Sequence, residues 1–328
     1  MLARLTLLTT FFALVNGFAG DIVKVGIIGA DTSHVPAFTE MFNDPKATGD
    51  LADFKVVAVF AGGSQDIPQS KDRIGGYMTK LKAMGVESVD TIDALLQKVD
   101  VVLLESIDGR VHLQQVLPVL KAKKPVFIDK PLAATLADVV EIYRVAAELK
   151  VPCFSSSALR FSPGVIGAAH DPRAGQVLGC EAWSPCHLEP HHPDLFWYGI
   201  HGVEELFTIM GPGCESVTRV QNKDCDIAVG VWKDGRIGTF RGLRAGKEDY
   251  GSTVFGSKSI VSGDGFGGYQ PLVVEIAKFF KSGKPPVSPE ETIEIYAFME
   301  AAHESTRQGG VPVTLESVLK KAKAVDGK

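Results

Sequence analysis

The sequence predicts an α/β protein in which a doubly wound parallel sheet precedes an α+β domain with a mostly antiparallel open sheet. At 328 residues the chain is long enough for two hydrophobic cores. Strand and helix patterns alternate over residues 22–155, whereas short alternating runs dominate beyond Arg160. We therefore predict a boundary near Ser157, with domains at 21–157 and 158–328 after a separate segment at 1–20.

The first domain alternates predicted strands with predicted helices. "IVKVGIIGA" is a continuous apolar run, as in strands buried on both faces of a parallel sheet. Helices separate the strands, and Thr91 and Thr135 are the expected N-caps of two of them. Such alternation implies right-handed crossovers and a doubly wound sheet. The other strands are "FKVVAVFAG", "DVVLLES", "KPVFID" and "VPCFSSS", and the helices are "VPAFTEMFND", "TIDALLQKV", "HLQQVLPVLKA" and "TLADVVEIYRVAAELK".

The second domain has a different pattern, with strands dominating and helices few. Its exposed sheet face is the predicted surface for a homo-oligomer. The predicted strands are "VLGCEAWSP", "SVTRVQ", "DIAVGVW", "RIGTFRGLR" and "STVFGS", and the helices are "GIHGVEELFTIMG", "PLVVEIAKFFKSG" and "SPEETIEIYAFMEAAHESTRQ".

The first twenty residues have the pattern of a secretory signal peptide. A short basic start, "MLAR", precedes the apolar run "LTLLTTFFALV" and the small residues of "NGFAG". The apolar run is short for a transmembrane span. We expect a protein exported to the periplasm or secreted, with no stable membrane insertion after the signal is cleaved.

Charge and cysteine usage exclude several functions. The net charge of −5 and the lack of a long basic run argue against a nucleic-acid partner. The five cysteines form no C-x-x-C pair, so no metal or redox motif is predicted. Export would permit a disulfide such as Cys180–Cys186, and the alternative is that the cysteines are small buried hydrophobes.

The loop after the first strand departs from a dinucleotide-binding fingerprint. Of the pattern G-x-G-x-x-G, the stretch Gly29-Ala30-Asp31-Thr32-Ser33-His34 keeps only the first glycine. Asp31 stands in the slot of the second glycine, where a carboxylate would repel a phosphate. Two interpretations remain open: Asp31, Thr32 or Ser33 caps the next helix, or Asp31 binds a ribose or substrate hydroxyl.

The end of the second strand departs from that pattern too. An acid is expected there to bind the adenosine ribose of NAD. The sequence has Gly62, Gly63 and Ser64 instead, whose amides are candidates for binding the 2′-phosphate of NADP. No arginine is adjacent, so the choice between NAD and NADP stays open.

Lys130 and His201 are the candidate catalytic pair. Lys130 directly follows the predicted strand "KPVFID", at the ligand edge of the sheet, and suits hydrogen bonding to an alcohol or carbonyl oxygen. His201 begins a helix on which Glu204 and Glu205 lie one turn on, so either carboxylate is expected to hold one imidazole nitrogen. The alternatives are a solvated lysine and a structural histidine.

Together these segments resemble the glucose–fructose oxidoreductase / inositol dehydrogenase (Gfo/Idh/MocA) family. The resemblance rests on "VKVGIIGA", "DVVLLES" followed by His112, "LKAKKPVFIDKPLA", "LRFSP" and "YGIHGVEELFTIMG", of which Asp-Lys-Pro is the most specific. It implies a Rossmann domain that binds NAD or NADP, with Lys130, His201 and Glu204 as catalytic residues. Trp197 replaces an aspartate usual in the family. The resemblance also implies cofactor contacts from the loop 29–34 and from Glu105, Ser106, His112 and Asp129.

The implied reaction is hydride transfer to or from a sugar, polyol or sugar-acid hydroxyl carbon. We expect Tyr198 and Trp197 to stack on the ring, and no metal, since the histidine-rich loop "CHLEPHHPDLFWYGIH" has no recognised metal spacing. Export favours a tightly bound, recycled cofactor. Alternatives are redox-neutral glycoside cleavage, a cofactor-less sugar-binding protein, and a metal-dependent lyase or hydrolase that uses this loop. The predicted substrate contacts are Ser157, Arg160, His191, His192, Asp194, Trp197 and Tyr198.

Overall fold

The computed structural model describes residues 22–325, in which two sheets are connected by helices. The predicted signal peptide lies outside the described residues. The first sheet is wholly parallel and six-stranded, with five helices in its connections. Its strands are β1 (Val23–Ile28), β2 (Phe54–Phe60), β3 (Glu87–Val89), β4 (Val101–Leu104), β5 (Val126–Ile128) and β6 (Cys153–Phe154). Its helices are α1 (His34–Phe42), α2 (Pro68–Ala83), α3 (Ile92–Leu96), α4 (His112–Lys121) and α5 (Leu136–Leu149).

The strand order β3-β2-β1-β4-β5-β6 confirms the doubly wound prediction. The order reverses between β1 and β4, and ligands of such sheets bind at the carboxyl ends of the strands at that point. The Thr91 and Thr135 hydroxyls accept hydrogen bonds from the amides of Ala94 and Asp138, as the capping pattern predicts. These local contacts fix where α3 and α5 begin.

Sequence reasoning missed α2, which is the longest helix of the first sheet's connections. Its sequence is polar, it contains Gly75 and Gly76, and its only buried residues are Ser70 and Leu81. Interior glycines disfavour a helix by about 1 kcal/mol each. Because so few of its residues are buried, the helix shows no strong apolar periodicity in the sequence. Its local determinants are Pro68 in the first turn and the packing of Leu81.

The second sheet has seven strands in the order β12-β11-β7-β10-β9-β8-β13. It is antiparallel except between β7 and β10, which confirms the mostly antiparallel prediction. The strands are β7 (Val177–Pro185), β8 (Cys214–Gln221), β9 (Cys225–Trp232), β10 (Ile237–Leu243), β11 (Gly251–Gly256), β12 (Ile260–Asp264) and β13 (Val313–Thr314). The helices are α6 (Pro163–Ala169), α7 (Ile200–Met210), α8 (Gln270–Ser282), α9 (Pro289–Arg307) and α10 (Leu315–Val325).

Helix α8 belongs by sequence to the second half but packs against the first sheet. Its apolar side chains share one core with β1, β2 and α1. That core covers one face of the parallel sheet, so the two halves of the chain are joined by buried apolar surface. Among residues 22–325, none of the helices combines the length and apolarity that crossing a membrane requires. The contributing side chains of α8 are Leu272, Val273, Ile276, Ala277, Phe279 and Phe280.

Helix α7 is buried almost all round, which places two carboxyl groups inside the protein. Every residue of α7 except Thr208 is buried. A Cβ atom on Gly202 would lie 2.4 Å from the Phe240 ring, so glycine is required for this close approach to β10. The Glu205 side chain has no exposed surface, neither of its oxygens makes a hydrogen bond within the described residues, and burial raises its pKa to about 8.

We expect Glu205→Gln to stabilise the protein at alkaline pH and to have little effect near pH 4.5. The Glu205 pKa is about 8 in the folded state against 4.5 for an ordinary glutamate. The folded state therefore binds more protons between these values, and stability falls as the pH rises through this window. Removing the titrating group should add on the order of 2–4 kcal/mol above pH 8 in urea unfolding.

The exposed Glu215→Gln on β8 is the matched control and should change stability little at either pH. An equal gain for Glu205→Gln at both pH values would contradict the assignment.

Candidate active site

A cavity of about 320 Å³ lies at the carboxyl ends of the parallel strands, between the first sheet and the second half of the chain. It brings together Lys130 and His201, which are far apart in the sequence. A cavity of this size suits a small molecule. Its lining residues are Thr32, Ser33, His34, Gln69, Arg73, Ile107, Lys130, Pro131, Ser157, Ala158, Leu159, His187, Trp197, Tyr198, His201, Tyr250, Phe266 and Tyr269.

Tyr198 connects the two predicted catalytic residues. The Lys130 Nζ atom lies 5.9 Å from the centre of the Tyr198 ring, a cation–π distance. The Tyr198 and His201 rings meet edge to face at 4.9 Å, and the Tyr198 hydroxyl lies 3.2 Å from the Tyr250 hydroxyl. Lys130, which follows β5, and His201, at the start of α7, therefore share one wall of aromatic surface.

The His201 imidazole is held by Ser157. Its Nδ1 atom lies 2.7 Å from the Ser157 hydroxyl oxygen. When Nδ1 donates its proton to that oxygen, Nε2 carries the lone pair that a general base needs. Burial, reinforced by the charge of Lys130, lowers the His201 pKa well below its ordinary value, so the ring is neutral at pH 7.

The prediction that Glu204 or Glu205 holds His201 was wrong. Glu204 Oε2 accepts a hydrogen bond from Arg160 Nε at 2.6 Å, and Arg160 Nη1 lies 2.7 Å from Glu291 Oε1 on α9. Helical spacing allows the contact to His201, but the buried carboxylate pairs with the nearest buried cation. Arg160 is thereby engaged on both sides and does not line the cavity.

Asp31 points into the protein and caps no helix. Its Oδ1 atom accepts a hydrogen bond from the Ile107 amide at 2.9 Å, and its Oδ2 atom accepts one from the Ser70 hydroxyl at 2.6 Å. Ser33 is the N-cap of α1 and makes no side-chain cap bond, so the capping prediction was wrong. Burial raises the Asp31 pKa. The carboxylate therefore does not face a ligand at the start of α1, and it joins the loops after β1 and β4.

The loop at the start of α1 keeps the features that a dinucleotide diphosphate needs. Gly29 has φ of +89°, and a Cβ atom there would lie 2.4 Å from the Ser106 amide nitrogen, so the tight turn requires glycine. Thr32 and Ser33 line the cavity at the helix start, and Arg73 of α2 lines it as well. Backbone amides at a helix start and an arginine suit a diphosphate, so these residues fit this part of the cofactor.

The loops after β2 and β4 are joined by polar pairs. The Ser64 hydroxyl donates to Asp108, and the Arg110 guanidinium binds both Asp108 and Asp66. The Ser64 amide donates to the Ser70 hydroxyl at 2.8 Å, so it is not free for a 2′-phosphate. Gly62 and Gly63 lie in the same loop, both at positive φ.

The remaining predicted cofactor residues lie behind the cavity. The His112 ring is fully buried, with Nε2 2.7 Å from the Ser106 carbonyl and Nδ1 3.2 Å from the Leu132 carbonyl. The Ser106 hydroxyl donates to the Gln115 side chain. Glu105 and Asp129 lie beside His34, which does line the cavity, and Ala30 is buried in the loop. His112 thus holds two loops together and does not itself reach the cavity.

The histidine-rich loop mostly contacts protein. His191 pairs with Glu189 at the surface, His192 Nε2 accepts from the Gly109 amide at 3.1 Å, and Asp194 pairs with Arg219. These three predicted substrate residues do not line the cavity, because the loop packs over the ends of β2 and β4. Ser157, Trp197 and Tyr198 do line it. All five cysteines are free thiols, including Cys180 and Cys186.

Several cavity residues were missed from the sequence. Tyr250, Phe266 and Tyr269 come from the segments around β11, β12 and α8, and Gln69 and Arg73 come from α2. These residues lie far from the recognised motifs, and no local pattern distinguishes them from other surface residues. The tertiary contacts alone bring them to the cavity.

The comparisons with known proteins agree with this architecture. The family model described as "Oxidoreductase family, NAD-binding Rossmann fold" (GFO_IDH_MocA) matches residues 23–157. No curated protein matches the chain.

Solved structures share the fold at low sequence identity. GenD2 from gentamicin A biosynthesis, in complex with NAD, is 17% identical with a TM-score of 0.72, over 90% of this chain and 96% of that one. Scyllo-inositol dehydrogenase from Lactobacillus casei, with NAD(H) and scyllo-inositol, is 16% identical with a TM-score of 0.72, over 90% and 100%. Myo-inositol dehydrogenase from the same organism, with NAD(H) and myo-inositol, is 17% identical with a TM-score of 0.70, over 89% and 96%.

Proposed function

We propose, from the match of residues 23–157 to the model of the NAD-binding Rossmann fold of the Gfo/Idh/MocA oxidoreductases, that this protein is an NAD-dependent oxidoreductase of that family. Its substrate is a sugar, polyol or sugar acid, and a hydroxyl-bearing carbon exchanges a hydride. The observation that carries the proposal is that Lys130 and His201 line one cavity, which Thr32, Ser33 and His34 at the start of α1 also line. Two of the similar structures hold an inositol together with NAD(H).

The cavity residues have distinct roles in this reaction. The Lys130 ammonium binds the substrate oxygen and stabilises the negative charge that develops on it. His201 Nε2 removes the hydroxyl proton, and Ser157 holds the ring through Nδ1. Tyr198 and Tyr250 present aromatic surface to the sugar ring. When bound, the nicotinamide supplies the redox chemistry.

The direct test is to purify the mature protein, denature it and assay the supernatant for NAD and NADP. We expect a bound dinucleotide or a saturable titration with one added cofactor. If neither NAD nor NADP is found and neither binds, the proposed oxidoreductase function is wrong. The same assay decides between NAD and NADP.

The signal-peptide pattern supports an exported enzyme with a tightly held cofactor, since free NAD(P) is scarce outside the cytoplasm. The cofactor would be recycled between two substrates or within redox-neutral glycoside cleavage. Fractionation of the producing cells tests export. Multiple turnovers without added cofactor would support recycling, and a strict need for added cofactor would contradict it.

A cofactor-less sugar-binding protein on this scaffold is the second candidate. It is favoured by the contacts that join the loops after β1, β2 and β4, namely Asp31 with Ile107 and Ser64 with Asp108. Sugar binding by calorimetry without any dinucleotide affinity would support it.

We also propose that the protein is a homo-oligomer through its second sheet. Paired positions on neighbouring strands present a row of exposed apolar residues on one face, with Gly179 in its middle. Exposed apolar rows of this kind mark association surfaces. Light scattering tests the proposal, and a monomer at micromolar concentration would contradict it. The row contains Val231, Ile237, Phe255 and Ile260.

We expect the activity to persist below pH 6.5 and to fall only at lower pH. Burial keeps the pKa of His201 well below 6.5, so the neutral base remains available as the solution becomes acidic. The measurement is kcat/KM against pH. His201→Gln should lower kcat/KM by about 10²–10⁴ and remove this acidic limb. An acidic limb retained in His201→Gln would assign it to another group.

A further inference from the structure

Three ligand-type side chains converge at the carboxyl ends of the strands, beside the cavity. His34 is the first residue of α1, Glu105 directly follows β4, and Asp129 directly follows β5. His34 is 6% exposed, and the other two have no exposed surface. One ligand atom from each lies within 4.8 Å of the other two. Among the described residues, no other three histidine, cysteine or acidic side chains bring their ligand atoms this close together. The group lies outside the histidine-rich loop.

The separations between these atoms match those of ligands around one metal ion. His34 Nδ1 lies 2.9 Å from Asp129 Oδ2 and 3.8 Å from Glu105 Oε2. With metal–ligand bonds of about 2.1 Å, two ligand atoms lie about 3.0 Å apart at an angle near 90° and about 3.8 Å apart near 130°. His34 Nδ1 and Asp129 Oδ2 contact each other at 2.9 Å, and neither atom makes a hydrogen bond to any other group among residues 22–325.

Glu105 supplies an independent observation that points to a ligand. Both of its carboxylate oxygens are buried, and neither makes a hydrogen bond to any described residue. Buried polar atoms without partners are rare because their lost hydration is not replaced. A second carboxylate, that of Asp129, has an oxygen within 4.8 Å of a Glu105 oxygen. A bound cation would satisfy both carboxylates at once.

The surroundings hold the ligand atoms in place. Asp129 Oδ1 accepts a hydrogen bond from the Lys130 amide at 2.8 Å, which leaves Oδ2 facing His34. The His34 ring stacks on Phe38 at 5.1 Å and meets the edge of Tyr269 at 4.7 Å. Metal ligands in proteins are commonly oriented by such outer contacts.

We propose that His34 Nδ1, Glu105 and Asp129 bind one divalent transition-metal ion, of the Zn²⁺ or Mn²⁺ class. One imidazole and two carboxylates suit these ions, whereas Mg²⁺ prefers oxygen ligands and water. Three protein ligands leave coordination positions open. His34 lines the cavity with Lys130 and His201, whereas Glu105 and Asp129 lie behind it without exposed surface. The proposal differs from the sequence expectation of no metal, and it gives a different role to three residues that the family resemblance implies as cofactor contacts.

The test is metal binding by the full chain after treatment with a chelator and removal of any bound dinucleotide. Zn²⁺, Mn²⁺ and Mg²⁺ are added separately, binding is followed by calorimetry, and stoichiometry is read by elemental analysis. We expect one equivalent of Zn²⁺ or Mn²⁺ per chain and much weaker Mg²⁺ binding. His34→Gln and Glu105→Gln should each weaken binding by at least about 100-fold.

His191→Asn is the matched control, since it removes an exposed histidine paired with Glu189 and should leave metal binding unchanged. Glu105→Gln is expected to fold, because it removes a buried carboxylate without changing the side-chain shape, and circular dichroism checks this. The proposal is overturned if the wild-type chain binds neither ion stoichiometrically. It is equally overturned if the folded Glu105→Gln and His34→Gln variants bind as the wild type does, or if His191→Asn abolishes binding.

Discussion

Lys130→Ala is expected to lower kcat/KM by about 10²–10⁴ while leaving the fold intact. The lysine lines the cavity at the end of β5, and in the proposed reaction its ammonium stabilises the alkoxide that develops on the substrate. Removing one donor to a developing oxyanion commonly costs this much in rate. The measurement is cofactor reduction at saturating dinucleotide with the best sugar or polyol substrate of the wild-type protein.

Two further variants separate charge from geometry. Lys130→Arg keeps the charge but replaces a compact ammonium by a planar guanidinium, so we expect only partial activity. Lys121→Ala changes an exposed lysine at the end of α4 and should have no effect. If Lys130→Ala turns over substrate at the wild-type rate, Lys130 has no catalytic role.

Arg160→Met is expected to destabilise the protein by about 3–5 kcal/mol. Arg160 is 8% exposed and pairs with Glu204 and Glu291, so its removal leaves the buried Glu204 carboxylate and the partly exposed Glu291 carboxylate without their cation. Truncating one partner of a buried ion pair costs this much because the other charge stays uncompensated. Urea unfolding at pH 7 measures the loss.

The double variant Arg160→Met with Glu204→Gln should recover part of that stability, because it removes one of the unpaired charges. Arg173→Met is the surface control: this arginine also pairs with a carboxylate, that of Asp171, but its side chain is 78% exposed. Pairs of that kind contribute about 0–1 kcal/mol. A loss for Arg160→Met no larger than that of Arg173→Met would show that the buried pair is not a stabilising contact.

Local patterns predicted most of the secondary structure. Strand formation and helix capping depend on near neighbours in the chain, so both can be predicted from the sequence. Examples are the apolar runs of β1, β4 and β5 and the caps at Thr91 and Thr135. Helix α2 was missed because it is polar and contains two glycines. Its stability comes from what it packs against, which no local window contains.

Lys130 and His201 both line the cavity, as the family resemblance implies, and the strand that Lys130 follows indicates by itself that this lysine lies at the ligand edge of the sheet. The partners of the buried charges do not follow from it. Asp31 binds Ser70 and Ile107, Glu204 binds Arg160, and Glu105 meets His34 and Asp129. Each of these contacts joins residues from separate elements.

By itself, then, the sequence determined the two sheets and their order along the chain. It also placed Lys130 at the carboxyl end of a strand of the first sheet. Only the tertiary structure decided which buried carboxylate meets which cation or donor, and which aromatic side chains close the cavity. The physical reason is that backbone conformation responds to neighbouring residues, whereas a buried charge must be compensated by whatever group the packing of distant elements brings within a few ångströms.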